Sequence, residues 1–287
     1  MTRPTEGTNP VVVIGAGGIM AGIAPVIRDL AERTNIGVLN TWAAKGLFPW
    51  SHPAHLGTMG LQSGDVELAG LLDHDDVILC GVSDEELPRG KLTALGVRWR
   101  DVLPGDLASL PLPIRSEPTP HPALYDALFA VCQPMFADDS LPLNPARAAA
   151  DLAAALPAGG VVCGDASRSG FWLGRTIPTR DLGSVRLPTR PSPGFAAVQA
   201  DLVRRTGHFS VAVVDGIDSG TRSVLDRAPD LLVEVWREGG PAMNSAERIE
   251  RLLVAHDAGG VHVLEVGIRF DEIGRLVEVA GTPLWGA

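Results

Sequence analysis

Two short stretches hold residues whose types and spacing suit phosphate chemistry. Gly15-Ala16-Gly17-Gly18 follows the β-branched run Val11 to Ile14 and precedes apolar residues at helical spacing, Ile19, Ile23, Ile27 and Leu30. A glycine turn in that setting aims backbone N–H groups at an anion. The dinucleotide fingerprint G-x-G-x-x-G is incomplete, because Met20 holds its third position. No acid for a ribose hydroxyl ends the second strand, where Asn40 and Thr41 stand. The other reading of the turn is tight packing that needs small residues. Asp215-Gly216 ends a second apolar run, Phe209 to Val214. A carboxylate at a strand end can hold Mg²⁺, and glycine lets a ligand come close. A lone Asp-Gly is also a common turn.

Other candidates are weaker. Lys45 and His52 lie in a loop rich in Gly, Pro, Trp and Phe, where either could meet a nucleotide phosphate or simply shape the loop. Asp73-His74-Asp75-Asp76 precedes a strand and reads as a turn. Ser167, Ser169 and Ser219 lack a G-x-S-x-G setting. Asp215 and Asp218 share a loop, but that spacing does not make them a catalytic pair. No residue is assigned a catalytic role.

The chain that must position these residues has 287 of them, enough for two ordinary domains. With 45% hydrophobic and 20% charged residues it can bury a large core. A formal charge of −10 argues against nucleic acid or an anionic membrane as partner. Cys80, Cys132 and Cys163 are too dispersed for a disulfide framework, so a cytoplasmic location is expected. Thr8 to Ile27 is uncharged, yet its glycines and prolines suit a buried strand and turn better than a signal or membrane span.

Apolar runs predict strands at Val11–Ile14, Gly37–Trp42, Asp76–Gly81, Val161–Gly164, Phe209–Val214, Leu231–Trp236 and Val261–Ile268, with a short one near Pro113. Helices are expected at Ala123–Val131, Pro145–Ala155 after the cap Asn144, Phe195–Arg205, and around Ile249, Leu252, Leu253 and His256. The fold class is therefore α/β, with two three-layer α/β/α domains built on mostly parallel sheets. Residues 1–9 read as a tail, 10–132 as a Rossmann-like domain, 133–144 as a linker and 145–287 as the second domain.

The run from Val11 through Gly60, with its glycine turn and K-G-x-x-P…HP…G segment, followed by DVILCG at Asp76–Gly81, resembles the central domain of thiamine-diphosphate enzymes of the acetolactate synthase and oxalyl-CoA decarboxylase type. The likeness extends into a degenerate diphosphate-binding domain. Gly164-Asp165 matches its first aspartate loop, and Val214-Asp215-Gly216 matches its G-D-G with the first glycine lost. The resemblance implies thiamine diphosphate and Mg²⁺ as cofactors, with Asp215 as metal ligand. It also implies cofactor contacts at Gly164, Asp165, Asp215 and Gly216, with Gly15, Gly17 and Gly18 facing a nucleotide. Where the family has paired asparagines stand Arg237-Glu238, and Arg237 is a candidate anion holder. Asn244 lies further on and, with Glu247, makes a capping box. The family's pyrimidine domain, whose glutamate activates the cofactor, has no counterpart among these residues. The resemblance thus implies either a subunit of a 2-oxo-acid decarboxylase or carboligase that needs a pyrimidine-domain partner, or a non-catalytic scaffold or regulator that has lost the cofactor. An ordinary nicotinamide oxidoreductase is the third reading. Self-association or a hetero-complex is expected in the first two.

Overall fold

Alternating side chains build the molecule. Val11 and Val13 point into one core and Val12 and Ile14 into another, as strand geometry requires. The computed structural model describes residues 9–285. Strands β1 (Pro10–Ile14), β2 (Gly37–Thr41), β3 (His55–Met59), β4 (Asp76–Cys80) and β5 (Trp99–Val102) form a parallel sheet in the order β3-β2-β1-β4-β5. Strands β6 (Val161–Gly164), β7 (Val185–Arg186), β8 (Ser210–Val214), β9 (Leu231–Arg237) and β10 (Val261–Gly267) form a second, in the order β10-β9-β8-β6-β7. Each sheet changes its direction of growth beside its first strand, between β1 and β4 and between β6 and β8. Doubly wound folds bind ligands at the carboxyl end of such points.

The two sheets share one apolar layer. Val11, Val13 and Leu39 of the first belong to the same contiguous core as Val162, Val211 and Val213 of the second. Four helices fill that layer: Ala123–Ala137, Pro145–Ala155, Arg168–Thr176 and Ile273–Ala280. Their buried faces include Leu128, Leu152, Trp172 and Leu276. The helix Ala24–Thr34 covers the outer face of the first sheet, and Phe195–Arg204 that of the second. Polar clasps close the seam. Trp42 donates its indole N–H to Pro188 O at 2.9 Å, and Gln62 donates to Leu276 O at 2.9 Å.

Most expected elements form within a residue or two of their expected bounds, and the fold class holds. The corrections are local. No strand forms near Pro113; β5 lies earlier, where Trp99–Val102 pairs with β4. His55–Met59, read as loop, is the edge strand β3. The helical pattern after the glycine turn is broken at Gly22, whose φ of 71° separates Ala16–Met20 from Ala24–Thr34. The helix begun at Ala123 continues to Ala137, into the stretch read as linker, with Pro134 inside it.

Candidate functional site

Asp165, Asp215, Gly216 and Asp218 meet at the carboxyl ends of β6 and β8, around a crevice of about 530 Å³. Both oxygens of Asp215 already accept a backbone amide. Its Oδ2 accepts the Arg168 N–H at 3.0 Å and its Oδ1 the Ser169 N–H at 2.8 Å. Those amides open the helix Arg168–Thr176 and have no partner within it. Ser167 Oγ caps the same end by accepting the Gly170 N–H at 3.4 Å. The Arg168 guanidinium stands 3.7 Å from Asp215 and 3.4 Å from Glu238, over the Phe270 ring.

The other two carboxylates each commit one oxygen in the same way. Asp165 Oδ1 accepts the Ala196 N–H at 2.7 Å, in the first turn of Phe195–Arg204. Asp218 Oδ1 accepts the Thr221 N–H at 2.6 Å, in the first turn of Ser219–Leu225. Three acids thus sit on three helix N-termini, each matched to the positive end of a helix dipole. Gly164 serves packing, since a Cβ there would lie 2.8 Å from Leu187 and 2.9 Å from Leu173. Gly216 is exposed and open to the crevice.

Crowding shows in Asp165. Burial, and then the nearby Asp218 and Asp215 charges, push its carboxyl up to about 6, against the lowering pull of the Ala196 N–H. Between its ordinary value and 6 the folded chain holds a proton that the unfolded chain has released. The stabilising contribution is full below the ordinary carboxylate range and is lost as pH rises through 6. Asp165→Asn keeps the acceptor for Ala196 and removes the charge. It is expected to be more stable than the parent at pH 8 by on the order of 1 kcal/mol after solvent screening, and equal to it at low pH. Melting curves of both proteins across that range check this.

The sites read from sequence do not all converge. Arg237 is exposed at the end of β9, with Glu265 as its nearest carboxylate at 3.9 Å, and does not line the crevice. Asn244 Oδ1 accepts the Glu247 N–H at 2.9 Å and caps the helix Ser245–Ala258. His52 braces its own loop by accepting the Ala54 N–H at 3.1 Å. Lys45 lines a different cavity, at the domain seam.

The glycine turn at the β1–β4 switch point is closed by the protein itself. Gly17 donates to Gly81 O at 2.8 Å, and Gly18 and Ile19 bond back to Gly15 O. Ala16 donates to Glu86 Oε1 at 3.0 Å, and Thr41 Oγ1 donates to the same oxygen at 2.5 Å. Glu86 Oε2 accepts the Ser83 N–H at 2.8 Å, and the Glu86 N–H reaches Ser83 Oγ at 3.3 Å. This is the reciprocal bonding of a capping box, made here around a turn. A Cβ on Gly15 would lie 2.5 Å from Gly81 O, so the glycine is needed for that contact. Glu86 was not singled out in the sequence, although the Ser83-x-x-Glu86 spacing was its signal.

Residues 5–88 match the family model described as "Thiamine pyrophosphate enzyme, central domain". An acetolactate synthase of Mycobacterium avium is 37% identical over 83 residues, 29% of this chain and 13% of that protein. An acetolactate synthase large subunit of Corynebacterium glutamicum is 33% identical over 102 residues, 36% of this chain and 14% of that one. The matched segment is thus a small part of each relative. A solved structure described as a thiamin diphosphate-dependent enzyme from Mycobacterium smegmatis superposes with a TM-score of 0.65 at 16% identity. It covers 91% of this chain and 62% of its own, a likeness of fold. Residues 5–88 thus match a central domain of the thiamine pyrophosphate enzymes, and over the rest of the chain the likeness is one of fold.

Proposed function

We propose that this chain is a non-catalytic relative of the thiamine pyrophosphate enzymes whose β6–β8 crevice does not take up Mg²⁺–thiamine diphosphate, and that it works as a scaffold or regulator in an assembly. The observation that carries this reading is the bonding of Asp215. A metal there would have to share oxygens that already accept the Arg168 and Ser169 amides, beside a guanidinium 3.7 Å away. A second positive charge at that distance is unfavourable in a part-buried site. Neither residue at the expected second-ligand position serves: Arg237 is a cation beside Glu265, and Asn244 is a helix cap. A diphosphate without its metal would meet Asp165, Asp215 and Asp218, three acids facing one crevice. The residues present therefore do not fit the metal-bound cofactor.

Assembly rests on a separate observation. β10 is a sheet edge, and Val261 and Val263 on it are exposed. An unpaired edge with apolar side chains is a surface that proteins ordinarily cover. No described helix is long and apolar enough to cross a membrane.

The second reading is a split enzyme that completes its site with a pyrimidine-domain subunit. One observation favours it: the crevice remains open, and Gly216 faces it unobstructed. Calorimetric titration of thiamine diphosphate with Mg²⁺ separates the two. No saturable heat is expected, and binding that depends on Asp215 would establish the second reading.

A further inference from the structure

We propose that the cavity at the domain seam binds a small amphipathic monoanion of the alkyl carboxylate class, with its charged end at Lys45 and its tail among Leu124, Leu128, Phe129, Phe136 and Ile177. The cavity is about 660 Å³ and lies on the opposite side of the helix Arg168–Thr176 sequence from its capped end, lined by Arg175 to Ile177. Its other walls are the Lys45–Thr58 segment and the helices Ala123–Ala137 and Pro145–Ala155. That size is typical of small-molecule sites, which are mostly apolar with a few fixed polar groups.

Charge selects the ligand. The chain carries −10 overall, yet Lys45, Arg147, Arg175 and Arg180 line this cavity against the single carboxylate Asp151. Two of the cations are already matched. Arg175 holds Asp65 at 2.8 Å and Arg147 holds Asp151 at 2.8 Å. The Lys45 side chain makes no hydrogen bond or ion pair among the described residues, and neither does that of Arg180 at the rim. A cation set against apolar walls without a partner is unfavourable, and a carboxylate supplies the missing charge.

The neighbours leave that role to Lys45. Burial lowers its amine to about 7, and the Arg175 charge adds to the shift. An anion beside the amine would oppose both effects by favouring its charged form. His55 is held neutral, its imidazole lowered to about 4 first by burial and then by Lys45. Its Nε2 lies 2.9 Å from Asn40 Oδ1. Burial pushes the Cys132 thiol up to about 11, so it adds no negative charge.

The inference does not depend on the state of the β6–β8 crevice. Its test is calorimetric titration of the full chain with sodium octanoate below its micelle-forming concentration, with octylamine as the cationic control. Saturable one-site binding of octanoate, and none of octylamine, is expected. Lys45→Met should weaken octanoate about tenfold or more, the loss of one charge-assisted contact. Lys45→Arg should retain binding, and Ala150→Trp, which fills the chamber, should abolish it. Circular dichroism confirms that each variant is folded, and Lys45→Arg against Ala150→Trp decides the matter if Lys45→Met is not. No saturable octanoate binding, equal binding of octylamine, or unchanged affinity in folded Lys45→Met would overturn the proposal.

Discussion

Arg175→Met is expected to lower the unfolding free energy by about 3–5 kcal/mol, the range for stranding a buried charge. Arg175 and Asp65 are almost fully buried, at 1% and 0% side-chain exposure. Arg175 Nη2 donates to both Asp65 oxygens, at 2.9 and 2.8 Å, and Nη1 donates to Thr58 O at 3.1 Å. Asp65 also accepts the Leu61 N–H at 2.8 Å and the Gln62 N–H at 3.1 Å. Removing the arginine leaves an ionised carboxylate inside the layer that both sheets share. Asp65→Asn keeps an acceptor for the two amides and removes that charge. The double variant Asp65→Asn with Arg175→Met should therefore lose less than the two single losses added together. Denaturant titration of the four proteins measures the coupling, and a coupling near zero would show that the pair does not clasp the domains.

The second large effect lies within the second domain. Arg248 and Glu234 are both at 0% side-chain exposure. Arg248 Nη2 donates to Glu234 Oε2 at 2.9 Å, its Nε reaches Oε1, and Nη1 donates to Ala148 O at 2.9 Å. Its guanidinium also lies over the Trp236 ring, 5.8 Å from the centroid. One side chain thus joins β9 to two helices. Arg248→Met should cost about 3–5 kcal/mol by leaving Glu234 unpaired in the middle of a parallel sheet. The double variant Glu234→Val with Arg248→Met replaces the pair with residues suited to a buried strand, and should recover most of the loss. A single variant within about 1 kcal/mol of the parent, the range of exposed pairs, would mean that water reaches the site.

Neither ion pair was legible in the sequence. Glu234 sits inside the apolar run Leu231 to Trp236, and its partner is fourteen positions away on a helix. Asp65 and Arg175 are separated by 110 positions. Period-two and helical spacings report which face of an element is apolar. They do not report which buried acid meets which base. That is why the strands from Val11, Asp76, Val161 and Ser210 were readable to within a residue, whereas β3 was not. Its sequence HLGTM carries a glycine and two polar side chains, and it becomes a strand by pairing with β2. The crevice was half legible. Asp165, Asp215 and Gly216 were placed correctly at strand ends. The helix that Asp215 caps was not foreseen, because Arg168–Thr176 begins in a run of serines and arginines with no apolar period at its start. Without that helix, an aspartate at a strand end looks free to hold a metal.

The central claim is that Asp215 is a helix cap rather than a metal ligand. Its most direct test is calorimetric titration of thiamine diphosphate with Mg²⁺ into the full chain and into Asp215→Ala, alone and with any co-purifying subunit. The account predicts no saturable binding by either protein. It also predicts that Asp215→Ala is less stable by about 1–2 kcal/mol, the cost of a lost cap, whether or not cofactor is present. Saturable binding by the parent that Asp215→Ala abolishes, with or without the subunit, would contradict it.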